Sequence, residues 1–186
     1  MDNDASSYRR FLSGDNDALV VIIRDYKDGL TFFLNGFVND LNLAEELMED
    51  TFVRLYTKKP RFSGKSSFKT WLYGIGRNIA REHLQRERKR KTMSLEDYTE
   101  LSDDTHEPES SYFRKQKYRD LYRAMRKLKP EYHQVLWLYF FEGLRDKEIA
   151  EIMHKSPNNV NVLLYRAKKA LKTQLEKEGY FNENIS

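Results

Sequence analysis

The chain contains no cysteine among its 186 residues. Disulfides, thiolate metal sites and a cysteine nucleophile are thereby excluded. It also lacks long apolar runs: Ala18–Ile23 and Val135–Phe141 fall far short of the roughly 20 residues a membrane span needs. The opening segment MDNDASSYRR has no basic-then-apolar export pattern, so a soluble cytoplasmic protein is expected. Period-2 alternation and internal repeats are absent, and helical spacing recurs throughout, which predicts an all-α fold. The four histidines, His83, His106, His133 and His154, form neither a helical metal pair nor an evident triad. No catalytic residue, metal or cofactor is therefore expected, and the chain is read as not an enzyme. Apolar residues are 39% of the total, slightly below the usual share even with glycine added.

What is there is charge, sorted by segment. The total is 33 basic against 29 acidic residues, a net +4. Asp40 to Asp50 holds five acids and no base, and Arg77 to Lys91 holds seven bases and two acids. Ser94 to Ser111 holds seven acids and no base, and Arg114 to Lys129 holds eight bases against Asp120 alone. Single-sign blocks are commonly solvated faces or tails, but repeated alternation in one small chain asks for more. Ser94–Ser111 also carries Pro108 and few sizeable apolar residues, so it cannot offset its ordering entropy and reads as a flexible acidic linker. The expected organisation is a helical unit at 1–91, a linker at 92–111, a second helical unit at 112–177 and a polar tail at 178–186. Each unit would own a thin core.

In the first unit, Ala44, Leu47, Met48, Phe52 and Leu55 make one apolar stripe, with Glu45, Glu46, Glu49 and Asp50 on the other side. Glu45 and Glu49 have metal-like spacing, but no histidine lies nearby and hard-metal sites draw on several elements. The acidic side is either a solvated face or a docking surface for a basic partner. Ser67 fits the N-cap of a helix over 68–90, whose core stripe is Phe68, Leu72, Ile75 and Ile79. Trp71, Asn78, Arg81 and Gln85 share a separate strip, with Arg77 and Arg88 beside it. Cations that track phosphates and a ring that stacks on bases suit single-stranded nucleic acid. Trp71, next to the core stripe, equally fits a plain core tryptophan.

In the second unit, Gly143 ends a helix that begins near Pro130. The segment DKEIAEIMHKSPNNVNVLLYRAKKALKTQL then has helix-turn-helix form: Ala150 at the crossing, His154 in the turn, Val160 and Leu163 facing inward. His154 stands where glycine is commonest, at a turn that favours a left-handed backbone. An ordinary helical hairpin is the alternative. Val160, Leu164, Ala167 and Leu171 define the buried side of the second helix. Asn158, Asn159, Asn161, Val162, Tyr165, Arg166 and Lys169 lie opposite. Amides can read adenine edges, arginine guanine, and lysine phosphate. Val162 fits a thymine methyl or an apolar protein interface.

These blocks carry a resemblance. LAEELMEDTFVRLY (43–56), FKTWLYGIGRNIAREHLQRERKR (68–90) and KLKPEYHQVLWLYFFEGLRDKEIAEIMHKSPNNVNVLLYRAKKAL (127–171) resemble, in order, three segments of the extracytoplasmic-function (ECF) sigma factors. Those are minimal promoter-recognition subunits of bacterial RNA polymerase in the sigma-70 superfamily, and the likeness spans residues 8–175. It implies a sigma-2-like helical bundle and a sigma-4-like helix-turn-helix domain. It implies that Glu45, Glu46, Glu49 and Asp50 dock on core polymerase. It implies −10 DNA contacts from Lys65 (in the 60–67 loop), Trp71, Arg77, Asn78, Arg81, Gln85 and Arg88, with Asn78 capturing an unstacked base. It implies −35 contacts from Asn158, Asn159, Asn161, Tyr165, Arg166 and Lys169. Where many members carry Ser-Arg, this chain has Val162-Leu163, so a typical −35 sequence does not transfer. Partners implied are core polymerase, duplex −35 and single-stranded −10 promoter DNA, and an anti-sigma factor that could hold the chain at the inner face of the membrane. No small-molecule substrate is implied. The competing reading is a helix-turn-helix regulator that binds DNA without core polymerase.

Overall fold

A computed structural model describes residues 3–93, 112 and 116–180. The described residues form eight α-helices and no strand. They are α1 (Asn3–Leu12), α2 (Asn16–Val38), α3 (Leu41–Lys58), α4 (Phe68–Met93), α5 (Gln116–Arg126), α6 (Pro130–Phe140), α7 (Asp146–Met153) and α8 (Pro157–Lys177). The all-α expectation holds, and the helix expected over 68–90 runs on to Met93. Residues 94–111 of the expected linker and 181–186 of the expected tail lie outside the described residues. No described helix is long and apolar enough to cross a membrane.

Short polar side chains start the helices. The carboxylates of Asp15 and Asp40 accept from the Ala18 and Leu43 amides, and the hydroxyls of Ser67 and Ser156 accept from Thr70 and Asn159. Each satisfies one of the amides that a helix start leaves unpaired.

α2 sits at the centre. Its residues from Gly29 through Gly36 are all buried, two full turns with no outward face, as in a helix covered on every side. α1, α3 and α4 pack on part of it and α6 on the rest, so one continuous core joins both halves of the chain. The expectation of two separate thin cores is thereby corrected.

The reason lies in Gly29 and Gly36, seven residues apart and hence on one face of α2. A Cβ on Gly36 would come within 2.9 Å of the His133 ring and 3.1 Å of Gln134 Cγ. At Gly29 it would meet the Glu142 carboxylate and the hydroxyls of Tyr73 (2.5 Å) and Tyr112 (2.6 Å). Glycine inside a helix costs about 1 kcal/mol relative to alanine; here that cost is offset by letting α6 come close. Polar bonds then stitch the halves. Gln134 Nε2 donates to the Gly36 carbonyl (3.2 Å), Asn35 Nδ2 to the Tyr122 hydroxyl (2.6 Å) and Arg126 Nε to Asn39 Oδ1 (3.2 Å).

Glu142 anchors the same interface. Its side chain is 1% exposed and accepts from Lys69 Nζ of α4 at 3.0 Å. Trp137 Nε1 and the Tyr112 hydroxyl each donate to it at 3.2 Å. A buried carboxylate is tolerable only when paired and hydrogen-bonded in this way. Around it, Trp137 stacks on Phe141 at 4.3 Å and lies 5.3 Å from Phe32 of α2.

Candidate nucleic-acid and polymerase interface

The acidic face is built first. α3 turns Ala44, Leu47, Thr51, Phe52 and Leu55 into the core. Glu45, Glu46, Glu49 and Asp50 are consequently all exposed. Arg54, one turn further, is drawn off sideways. It forms a bidentate pair with Glu82 of α4 (2.7 and 3.2 Å). That hydrogen-bonded pairing raises the Arg54 pKa and lowers that of Glu82. Two consequences follow: Arg54 is engaged chiefly by Glu82, with Asp50 a lesser electrostatic neighbour, and α4 loses one negative charge from its outer side. Beside the acids, an open groove of about 660 Å³ between α2 and α3 is lined by Leu19, Ile23, Met48, Phe52, Val53 and Tyr56 among others.

The second face lies on α4. Asn78, Arg81, Gln85 and Arg88 are exposed, as is Lys65 in the preceding loop. Trp71 is half-buried within an aromatic cluster, 5.2 Å from Tyr8, 5.2 Å from Phe62 and 5.5 Å from Phe68. The Tyr8 hydroxyl donates to the Pro60 carbonyl at 2.7 Å, fastening the loop that carries Lys65. The indole is thus partly packed into the core and partly exposed.

Arg77 stands apart. Its Nη2 donates to the carbonyl of Met153, the last residue of α7, at 3.1 Å. A guanidinium at a helix C-terminus satisfies a carbonyl that has no partner within its own helix. Burial, and then the neighbouring Arg81 charge, lower its pKa. In this arrangement Arg77 is therefore turned against the helix-turn-helix and away from the open strip. Glu148 adds a second link: one oxygen accepts from the Arg145 amide at the start of α7 (3.0 Å), the other lies 3.4–3.5 Å from the Thr70 and Ser67 hydroxyls.

The third face is α8. Between α7 and α8, His154 adopts the left-handed conformation (φ 53, ψ 47) expected at that turn. Ala150, 4% exposed, lies at the crossing. The His154 pKa is lowered by partial burial and then by Arg77 and Arg81, which places this turn beside the basic strip of α4. Val160, Leu164, Ala167 and Leu171 are buried. Asn158, Asn159, Asn161, Tyr165, Arg166 and Lys169 are all exposed. Val162 is exposed as well, whereas Leu163 packs partly against the core.

The structure thus brings the expected residues onto three separate exposed faces, Arg77 and half of Trp71 excepted. It adds residues that sequence reasoning passed over, namely Gly29, Gly36, Lys69, Tyr112 and Glu142 at the seam between the halves. Two glycines one heptad apart in an apolar helix were the available signal.

Each half of the chain matches a known family. Residues 22–90 match the family described as Sigma-70 region 2, and residues 118–171 that described as Sigma-70, region 4. The chain is 32% identical over 162 residues to the RNA polymerase sigma factor YlaC of Bacillus subtilis (strain 168), covering 87% of this chain and 94% of that protein. It is 27% identical over 173 residues to the ECF RNA polymerase sigma factor SigW of the same organism, covering 87% and 91%. Its fold is similar to that of the sigma factor RpoE of Bartonella quintana, solved in complex with the anti-sigma factor NepR: TM-score 0.69, 20% identity, 83% of this chain and 94% of that one.

Proposed function

The chain belongs to the sigma-70 family as an ECF-type RNA polymerase sigma factor, and from that membership we propose how its three faces divide promoter recognition. The exposed carboxylates Glu45, Glu46, Glu49 and Asp50 dock on core polymerase. The α4 strip, with Asn78 at its centre, takes an unstacked −10 base, and the exposed side of α8 takes the −35 duplex. The proposed working units are residues 1–91 and 112–177. Unstacking costs a few kcal/mol, and each well-held base returns about 1–3 kcal/mol. Neither unit is sufficient alone, so core polymerase has to supply the remaining affinity and geometry. The work is binding, with no covalent step.

The observation that carries this reading is the exposure of all four α3 acids in a chain whose other two working faces are basic. The packed arrangement adds a condition. The −10 and −35 elements are about 25 base pairs apart, or roughly 85 Å at about 3.4 Å per pair. Here α4 and the helix-turn-helix are one hydrogen bond apart, Arg77 to Met153. Engaging both elements at once therefore requires the α4–α7 contact to open. The packed form is proposed as the resting state, cytoplasmic, and the form that an anti-sigma factor would hold.

Run-off transcription over a promoter library with purified core polymerase tests the reading. Promoter-specific transcripts are expected, whereas a regulator independent of core would not program it. Reversing Glu46 and Asp50 together to lysine should weaken core association about tenfold or more. An unchanged affinity would remove the docking role.

A further inference from the structure

One apolar side chain stands in the middle of the face that α8 offers to DNA. Val162 is 43% exposed. Asn158 and Asn159 precede it by one helical turn, and Tyr165 and Arg166 follow by one turn; all four are exposed. Leu163 beside it turns inward against the core, so the exposure of Val162 is not the edge of the buried stripe. From Pro157 to Gln174 there are four bases (Arg166, Lys168, Lys169 and Lys172) and no acid. Amides and cations around a single apolar group fit a polyanion better than an apolar protein patch.

The major groove of DNA carries one apolar group on its base edges, the 5-methyl of thymine. Valine is suited to it, because its branched side chain is held largely in one rotamer on a helix and presents its methyls rigidly. Ser156 caps α8 through the Asn159 amide at 3.2 Å, and Pro157 opens the helix, so the first turns are fixed in place. We infer that Val162 is a specificity-determining residue that reads a thymine of the −35 element through its 5-methyl group. Asn158 and Arg166, one turn to either side, are placed to hydrogen-bond neighbouring base edges. This inference rests on the proposed −35 role of α8.

The test uses full-length chain assembled with core polymerase. The preferred −35 element is first selected from a randomised library. Each thymine on either strand is then replaced singly by uracil, which removes only the methyl group. At one position, uracil should weaken wild-type binding roughly threefold to tenfold, as loss of a methyl contact predicts. Val162→Ala should bind thymine and uracil equally there. Alanine favours a helix more than valine does, so the variant should fold.

A selected element without thymine would overturn the inference. So would insensitivity to uracil at every position, or a thymine preference that persists in Val162→Ala. A Val162→Ala holoenzyme that loses core affinity while keeping its thymine preference would instead mark Val162 as a protein contact. If the wild-type holoenzyme selects no −35 sequence at all, the DNA-reading role of α8 falls along with the inference.

Discussion

α4 and α8 are both long helices with a basic outer side, yet the fold treats them differently. α8 buries a single narrow stripe, Val160, Leu164, Ala167 and Leu171, with Leu163 partly covered beside it, and leaves most of the rest of its first four turns to solvent. α4 is covered on two sides. Phe68, Leu72 and Ile79 face the first half, and Thr70 and Tyr73 are buried as well, toward Glu148 and Glu142 of the second. Its candidate DNA strip is what remains between two neighbours, and Arg77 has been taken into the seam. A helix that reads duplex DNA needs only to be presented. One that has to trap an unpaired base can be kept partly covered until its cover is removed.

The sharpest way to test that difference is at Asn78. If α4 acts on melted DNA and α8 on the duplex, Asn78→Ala should reduce open-complex formation roughly tenfold to a hundredfold, since a well-held base is worth about 1–3 kcal/mol. Footprints over the −35 element should be unchanged. Equal loss at both steps would mean that α4 and α8 do not divide the work as proposed.

A second test breaks the comparison by removing the extra neighbour. His133 is fully buried where α6 meets Gly36 of α2, and burial pushes its imidazole down to about 4 from the ordinary 6.5. Its surroundings are the Tyr122 ring edge of α5 at 5.6 Å, the Phe32 backbone, to which it is hydrogen-bonded, and the charge of Arg126, which also disfavours the cation. A neutral histidine is thus built into the packed state. Well above pH 6.5 it is neutral in both states and its contribution is complete. As pH falls, only the unpacked chain takes the proton, and packing loses about 2 kcal/mol by pH 5. Urea midpoints should therefore drop between pH 7 and pH 5, and amide protection factors at the buried face of α4, taken relative to intrinsic exchange at each pH, should fall. His133→Leu should show a much shallower dependence over the same window; an equally steep one would acquit His133.

How far such a fold can be read in advance depends on how many neighbours a helix has. On α8 the spacing of apolar residues found the buried stripe and the helix-turn-helix form placed the left-handed turn at His154, because one stripe meets one core. On α4 the same method found Phe68, Leu72, Ile79 and the Ser67 cap, yet it missed Tyr73, Gly76 and Ala80, all buried. Periodicity assigns a helix one inward direction and cannot announce a second. The acids of α3 and the amides of α8 were legible as faces because nothing among the described residues covers them. Arg77 was not, because its partner is a backbone carbonyl 76 residues away, and backbone carbonyls leave no mark in a residue pattern.

Arg77 also supplies the finest test of the comparison, with the smallest expected effect. In the free chain Arg77→Ala removes the bond to Met153 and leaves the end of α7 uncapped, a loss of about 1 kcal/mol. Amide exchange around His154 and Lys155 should therefore quicken about fivefold. If core polymerase separates the halves as proposed, the same guanidinium is released to the edge of the strip that holds Asn78 and Arg81. If it then meets a phosphate, Arg77→Ala holoenzyme should bind promoter DNA with a salt-dependence slope smaller by about 1. Faster exchange with an unchanged slope would make Arg77 a clasp alone, and a smaller slope with unchanged exchange a DNA contact alone. Both changes together would mean that one side chain serves the packed and the engaged states in turn, so that it cannot hold α7 and phosphate at once. The contact that covers α4 would then compete directly with DNA for the same cation.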